Sequence, residues 1–147
     1  MENLVTILEK MHGALCELEV TLRDENTQLS GSQIDPVSLQ VVTDKKSSLL
    51  AALAHYDARR QEEEAAQRVR APYDGISELS MHWQQIHRLT MTLSELNQRS
   101  GLLLEKQQEN VKQLQSVMNK TRVGQMVYGS DGQSRNGTGN RSLNINV

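Results

Sequence analysis

Apolar residues in the first thirty positions recur at alternating steps of four and three. The members of this stripe are Leu4, Leu8, Met11, Leu15, Leu18, Leu22 and Leu29. This spacing is the heptad seam along which α-helices pack side by side. It predicts one helix over residues 3–29, with its apolar side covered by other helices.

A second helix is predicted from Pro36 to about Arg70. Asp35 is a good N-cap and Pro suits the first helical position, so the start is well marked. The four–three spacing continues through Leu39, Val42, Leu49, Leu53 and Tyr56. Beyond Tyr56 the seam falls on Arg60 and Glu63, within a run of mixed charges. We interpret that run as a solvated helix face.

A third helix is predicted over residues 77–119, after the turn sequence APYDG, with Ser77 as its N-cap. Its seam consists of Leu79, Trp83, Ile86, Leu93, Leu104, Val111, Leu114 and Met118. At about 65 Å, this helix is longer than its neighbour of about 50 Å. Its C-terminal half should therefore be uncovered, and an uncovered apolar stripe usually marks a partner site.

The predicted fold class is all-α. We expect an elongated antiparallel three-helix bundle, a coiled-coil hairpin with a long third helix and a flexible C-terminal tail. Residues 1–120 form the helical domain and 121–147 the tail, which is dense in Gly, Ser and Asn and should be disordered when free. An apolar cluster in this tail, formed by Val123, Met126, Val127 and Tyr128, is a candidate binding anchor.

Two charged residues interrupt the apolar seams. Glu25 occupies a seam position of the first helix and Lys46 one of the second. In a hairpin they lie about one to two turns apart, a gap that the long Lys side chain could partly close. A polar pair in a seam fixes helix register at some cost in stability. On this hypothesis Lys46→Leu gains stability but samples several oligomeric states; the alternative is a polar site that a partner uses.

Composition and spacing argue against several function classes. A net charge of −2 lacks the basic excess of a nucleic-acid binder. No segment has the apolar length for membrane insertion. His12 and Cys16 share a helix face, but two ligands do not make a metal site. We expect a cytoplasmic protein that is not an enzyme and needs no cofactor.

Three blocks of sequence resemble the FlgN family of flagellar export chaperones. They are TDKKSSLLAAL (43–53), LSELNQRSGLLLEKQ (93–107) and VYGSDGQ (127–133). They follow one another in the order of the family, and the resemblance covers nearly the whole chain.

The resemblance implies a chaperone of flagellar type III export. Such proteins bind the hook-associated proteins FlgK and FlgL, keep their terminal helices apart, and deliver them to the export gate protein FlhA. By resemblance, Tyr128 corresponds to the tyrosine that docks on the gate. The residues that correspond to the substrate-gripping region are Val111, Leu114, Met118, Val123, Met126 and Val127.

Two other classes of function fit the same seams. One is a structural coiled-coil protein that self-assembles into a homo-oligomer and has no client. The other is a regulatory helical protein that sequesters an export component or a transcription factor.

Overall fold

A computed structural model describes residues 3–121 of the chain. It contains three helices: α1 (Leu4–Ser30), α2 (Pro36–Gln67) and α3 (Ser77–Thr121). The predicted all-α class is confirmed, and the described residues contain no strand. The division into a helical domain (1–120) and a tail (121–147) stays a prediction, because nearly all of the tail lies outside the described part.

The starts of α1 and α2 are held by side-chain caps. The Asp35 carboxylate accepts a hydrogen bond from the Val37 N–H at 3.1 Å, and Pro36 is the first residue of α2. Asn3 caps α1 in the same way, accepting from the Thr6 N–H at 2.8 Å. These bonds satisfy N–H groups that have no partner within the helix, and the predicted cap at Asp35 is confirmed.

Two predicted details of the α2–α3 connection are wrong. Helix α2 ends at Gln67 instead of Arg70, because Arg68 adopts a left-handed conformation with φ of 57°. The Glu64 carboxylate then accepts from the Ala71 N–H at 3.1 Å, which draws the chain back towards α2. Ser77 is the first residue of α3 instead of its cap, since the Ile76 carbonyl already accepts from the Ser80 N–H.

Helix α1 is the centre of the bundle. All seven apolar residues of its predicted seam are buried, and so is Ile7 beside that seam. Helices α2 and α3 both pack along α1, but over their described ranges their backbones do not approach each other closely. Only α1 must therefore be apolar on a wide face, which explains how a chain with 37% hydrophobic residues builds this core.

A polar layer crosses the bundle near the C-terminal end of α1. The Lys46 Nζ lies 3.6 Å from a Glu25 carboxylate oxygen and donates a hydrogen bond to Asn97 Oδ1 at 3.2 Å. Beside it, the Asn26 amide donates to the Ser100 hydroxyl at 2.8 Å. The two charged side chains thus meet across the gap predicted between them. All three helices contribute to this layer.

Replacing Glu25 and Lys46 together by leucine should test the register hypothesis. The observed ion pair reverses the stability expected of Lys46→Leu alone: this variant leaves the buried Glu25 carboxylate without its cation, so it should lose about 3 kcal/mol of stability instead of gaining it. The double variant removes both charges and should gain about 1–3 kcal/mol over the unaltered chain. We expect urea unfolding to show this gain and light scattering to show several oligomeric states. A more stable variant with one unchanged mass would contradict the register role.

A candidate partner-binding surface on the third helix

Helix α3 leaves the bundle near Gln107. The side-chain amide of Gln107 donates to the carbonyl of Leu29 at 3.2 Å and to that of Gly31 at 3.5 Å, where α1 ends. Helix α3 has 45 residues and α1 has 27, so their lengths are about 67 Å and 40 Å. Residues 108–121 form about four helical turns beyond the end of α1.

An apolar stripe begins about one turn before Gln107 and continues along this projecting part. It consists of Leu104, Val111, Leu114 and Met118, and we call it the exposed stripe. Leu104 is 37% exposed and the other three are 53%, 61% and 42% exposed in chain order. Neighbouring apolar side chains that stay in water usually mark a binding surface. The prediction that this half of α3 is uncovered is confirmed.

The remaining predicted site residues belong to the tail. Val123, Met126, Val127 and Tyr128 lie outside the described residues. Their assignments as substrate contacts and export-gate anchor stay predictions, as does the substrate-binding role of Val111, Leu114 and Met118.

A buried charged cluster lies near the opposite end of α3. Arg60 forms ion pairs with Asp57 at 2.8 Å and with Glu64 at 2.7 Å. Its guanidinium carbon lies 4.7 Å from the centre of the Trp83 ring, a cation–π arrangement. Tyr73 meets the same ring edge-on at 5.8 Å. We call these five residues the Arg60 cluster.

The Arg60 cluster corrects the expectation of a solvated charged face. Arg60 and Glu63 are both buried, so that interpretation is wrong for these two positions. For Arg60 the physical reason is that two aromatic side chains pack against it: Tyr73 from the loop before α3 and Trp83 from α3 itself. A signal was present, because the four–three spacing of α2 continues through Arg60 and Glu63.

Tyr73 closes the loop between α2 and α3. Its hydroxyl donates to Glu64 at 2.6 Å, and the Tyr73 side chain is fully buried. Burial, reinforced by this hydrogen bond, raises the pKa of the Tyr73 hydroxyl well above its ordinary value. The hydroxyl therefore keeps its proton and donates at any physiological pH. The loop is tied to α2, which fixes where α3 starts.

Potential metal ligands are not grouped together in the described part of the chain. Among residues 3–121, no three His, Cys, Asp or Glu side chains are grouped to hold a metal ion. The Cys16 thiol lies 3.8 Å from His12 Nδ1, as expected for two residues on one helix face. The same residues include no helix with the length and apolar character to cross a bilayer.

A family model described as FlgN protein matches residues 1–136. The chain belongs to the FlgN family. All three helices, the exposed stripe and the VYGSDGQ block lie within the matched region. The match ends before the last eleven residues of the chain.

Curated relatives agree with this assignment. The chain is 40% identical over 134 residues to the flagella synthesis protein FlgN of Salmonella typhimurium. It is 36% identical over 135 residues to that of Yersinia enterocolitica and 35% over 135 residues to that of Escherichia coli K12. These alignments cover 91–92% of this chain and 91% of each relative. No solved structure matches the chain. Membership of the FlgN family gives the chain a role in flagellum assembly.

Proposed function

We propose that this FlgN-family chain is a cytoplasmic, non-catalytic chaperone of flagellar export. It binds the terminal helices of the hook-associated proteins FlgK and FlgL and delivers these subunits to the export gate protein FlhA. The single observation that supports a client site is the exposed stripe on a rigid helix that projects beyond the bundle. Membership of the FlgN family supports the flagellar context.

An amphipathic client helix would lie on the exposed stripe. Each of its four side chains is about half exposed, so covering it contributes roughly 1 kcal/mol, or about 4 kcal/mol together. The client's own apolar side chains add a similar amount. Ordering of the client and loss of its free motion offset much of this gain. The balance is moderate, reversible binding, which suits a chaperone that must release its cargo.

The tail supplies a second contact in this proposal. Tyr128 docks on the export gate, as the resemblance implies, while Val123, Met126 and Val127 extend the grip on the client. Because Tyr128 follows α3 within a few residues, a bound client is held close to the gate and its effective concentration there is raised. Client binding and gate docking use different residues, so neither needs the other to dissociate.

Calorimetric titration with the C-terminal helical segment of FlgK tests the client site. Three chains are compared: full length, a truncation after Lys120, and full length with Tyr128→Ala. We expect full length and Tyr128→Ala to bind alike, because Tyr128 serves the gate. We expect the truncation to bind about tenfold more weakly, since it lacks the three apolar tail contacts. The controls are equal helical signal and equal unfolding midpoint for all three chains.

The same titration discriminates between the proposals. If no chain binds the FlgK segment, the client function is wrong. Light scattering of the full-length chain alone then separates the remaining classes. A stable oligomer that forms with rising concentration favours self-assembly through the exposed stripe, whereas a monomer favours a regulatory protein with a different partner.

A further inference from the structure

The seam of α3 keeps one heptad register along the whole helix, from the half that α1 covers into the C-terminal part that carries the exposed stripe, which we call the projecting half. Seam positions follow one another at steps of four and three from Leu79 to Thr121 without a skip. In the covered half, Leu79, Ile86 and Leu93 belong to the core that the α1 leucines form. The exposed stripe is therefore continuous with the α1–α3 interface and offers another helix the same kind of surface.

Charged side chains avoid this surface along the whole of α3. With Leu104 as heptad position a, every Asp, Glu, Lys and Arg of α3 takes position b, c or f, away from the seam. These residues are Glu78, Arg88, Glu95, Arg99, Glu105, Lys106, Glu109, Lys112 and Lys120. Positions e and g, which flank the seam, usually carry the Glu and Lys that select a partner helix. In the projecting half they are Gln108, Asn110, Gln115 and Val117.

We infer that the projecting half of α3 holds a client helix of about four turns by apolar contact and amide hydrogen bonds, without charge selection. This inference rests on the proposed function and adds the class of client that the surface accepts. Charges beside a seam repel partner helices that carry the same charge at the facing positions. The projecting half of α3 has no charges at these positions. One surface therefore accepts client helices of different sequence, and salt has little effect on their affinity.

The test starts with the full-length chain and the C-terminal helical segment of FlgK. Titrations at about 50 mM and about 500 mM NaCl compare weak with strong screening. We expect the Kd to change by less than about threefold, because no charge on α3 faces the client. Two altered FlgK peptides, with Lys or Glu at the positions flanking their apolar stripe, should bind within about threefold of each other.

Charges introduced beside the seam should make α3 discriminate between the Lys-flanked and the Glu-flanked peptide. In Gln108→Glu/Gln115→Glu two carboxylates flank the exposed stripe, and the Lys-flanked peptide should bind at least about fivefold more tightly than the Glu-flanked one at low salt. High salt should remove this preference. The matched control, Gln113→Glu/Ser116→Glu, adds two carboxylates to the same turns at positions c and f and should behave like the unaltered chain.

Two outcomes would overturn the inference in distinguishable ways. If the native FlgK segment binds but its Kd rises more than about threefold with salt, charge holds the client. The same conclusion follows if the unaltered chain separates the Lys-flanked from the Glu-flanked peptide. In either case the proposed function stands, but the inference that α3 binds clients without charge selection is wrong. If the native segment does not bind at all, the proposed function fails and the inference fails with it.

Discussion

Replacing Arg60 with alanine should lower the free energy of unfolding by about 3–5 kcal/mol. The Arg60 guanidinium is the shared cation of two carboxylates, Asp57 and Glu64, in a buried site. Without the guanidinium, the two carboxylates repel each other at a site where little water is available to solvate their charges. The Trp83 ring also loses the cation that packs on its face. Because small domains have a stability of only about 5–15 kcal/mol, this change removes a large part of it.

Urea unfolding followed by circular dichroism measures this loss. Arg99→Ala is the matched control, since Arg99 is exposed on α3 and its removal should change stability by less than about 0.5 kcal/mol. Trp83 fluorescence reports the site itself, because it is the only tryptophan in the chain. An Arg60→Ala protein as stable as the Arg99→Ala protein would show that Arg60 is not a buried structural charge.

The double variant Val111→Asp/Leu114→Asp should bind the FlgK segment at least about 100-fold more weakly than the unaltered chain. It removes two side chains from the centre of the exposed stripe and places two carboxylates where the client must exclude water. Helix stability should fall only slightly, because both positions are solvent-exposed in the free chain. A selective loss of binding with an intact bundle is the expected signature.

Leu102→Asp provides the control on the same helix. Leu102 is 66% exposed, and its heptad position f places it on the opposite side of α3 from the exposed stripe. We expect this variant to bind the FlgK segment like the unaltered chain in the same calorimetric titration. Equal binding by all three proteins would remove the exposed stripe from the client site.

Periodicity predicted those features that depend on neighbours along the chain. The α1 seam, the Asp35 cap and the uncovered half of α3 follow from residue spacing, local capping chemistry and helix length. The exposed stripe was predictable because the third helix, at about 65 Å, is longer than its predicted neighbour of about 50 Å. In the structure the difference is larger still, because α3 packs on α1, which has only 27 residues. The identity of the molecule that binds the stripe, in contrast, depends on that partner and does not follow from residue spacing in this chain.

Periodicity could not predict how charged seam residues are satisfied. The seam position of Arg60 is a sign of burial, but it does not identify the side chains that contact the guanidinium. Two of them, Tyr73 and Trp83, belong to the following loop and to α3. The same holds for Asn26, whose side-chain NH2 group donates a hydrogen bond to Ser100, 74 residues further along the chain. Distant polar partners depend on three-dimensional packing and leave no periodic signal in the sequence.

The central position of α1 has a consequence for how the chain is made. Synthesis on the ribosome produces α1 before α2 and α3, and the wide apolar face of α1 needs both of these partners. At about 5–20 residues per second, the segment that carries Ser100 follows Asn26 after roughly 4–15 seconds. During that interval a nascent chain holds α1 with one side uncovered, next to α2. The apolar side of α1 that α3 covers in the folded chain therefore stays without its intramolecular partner until most of α3 has been made.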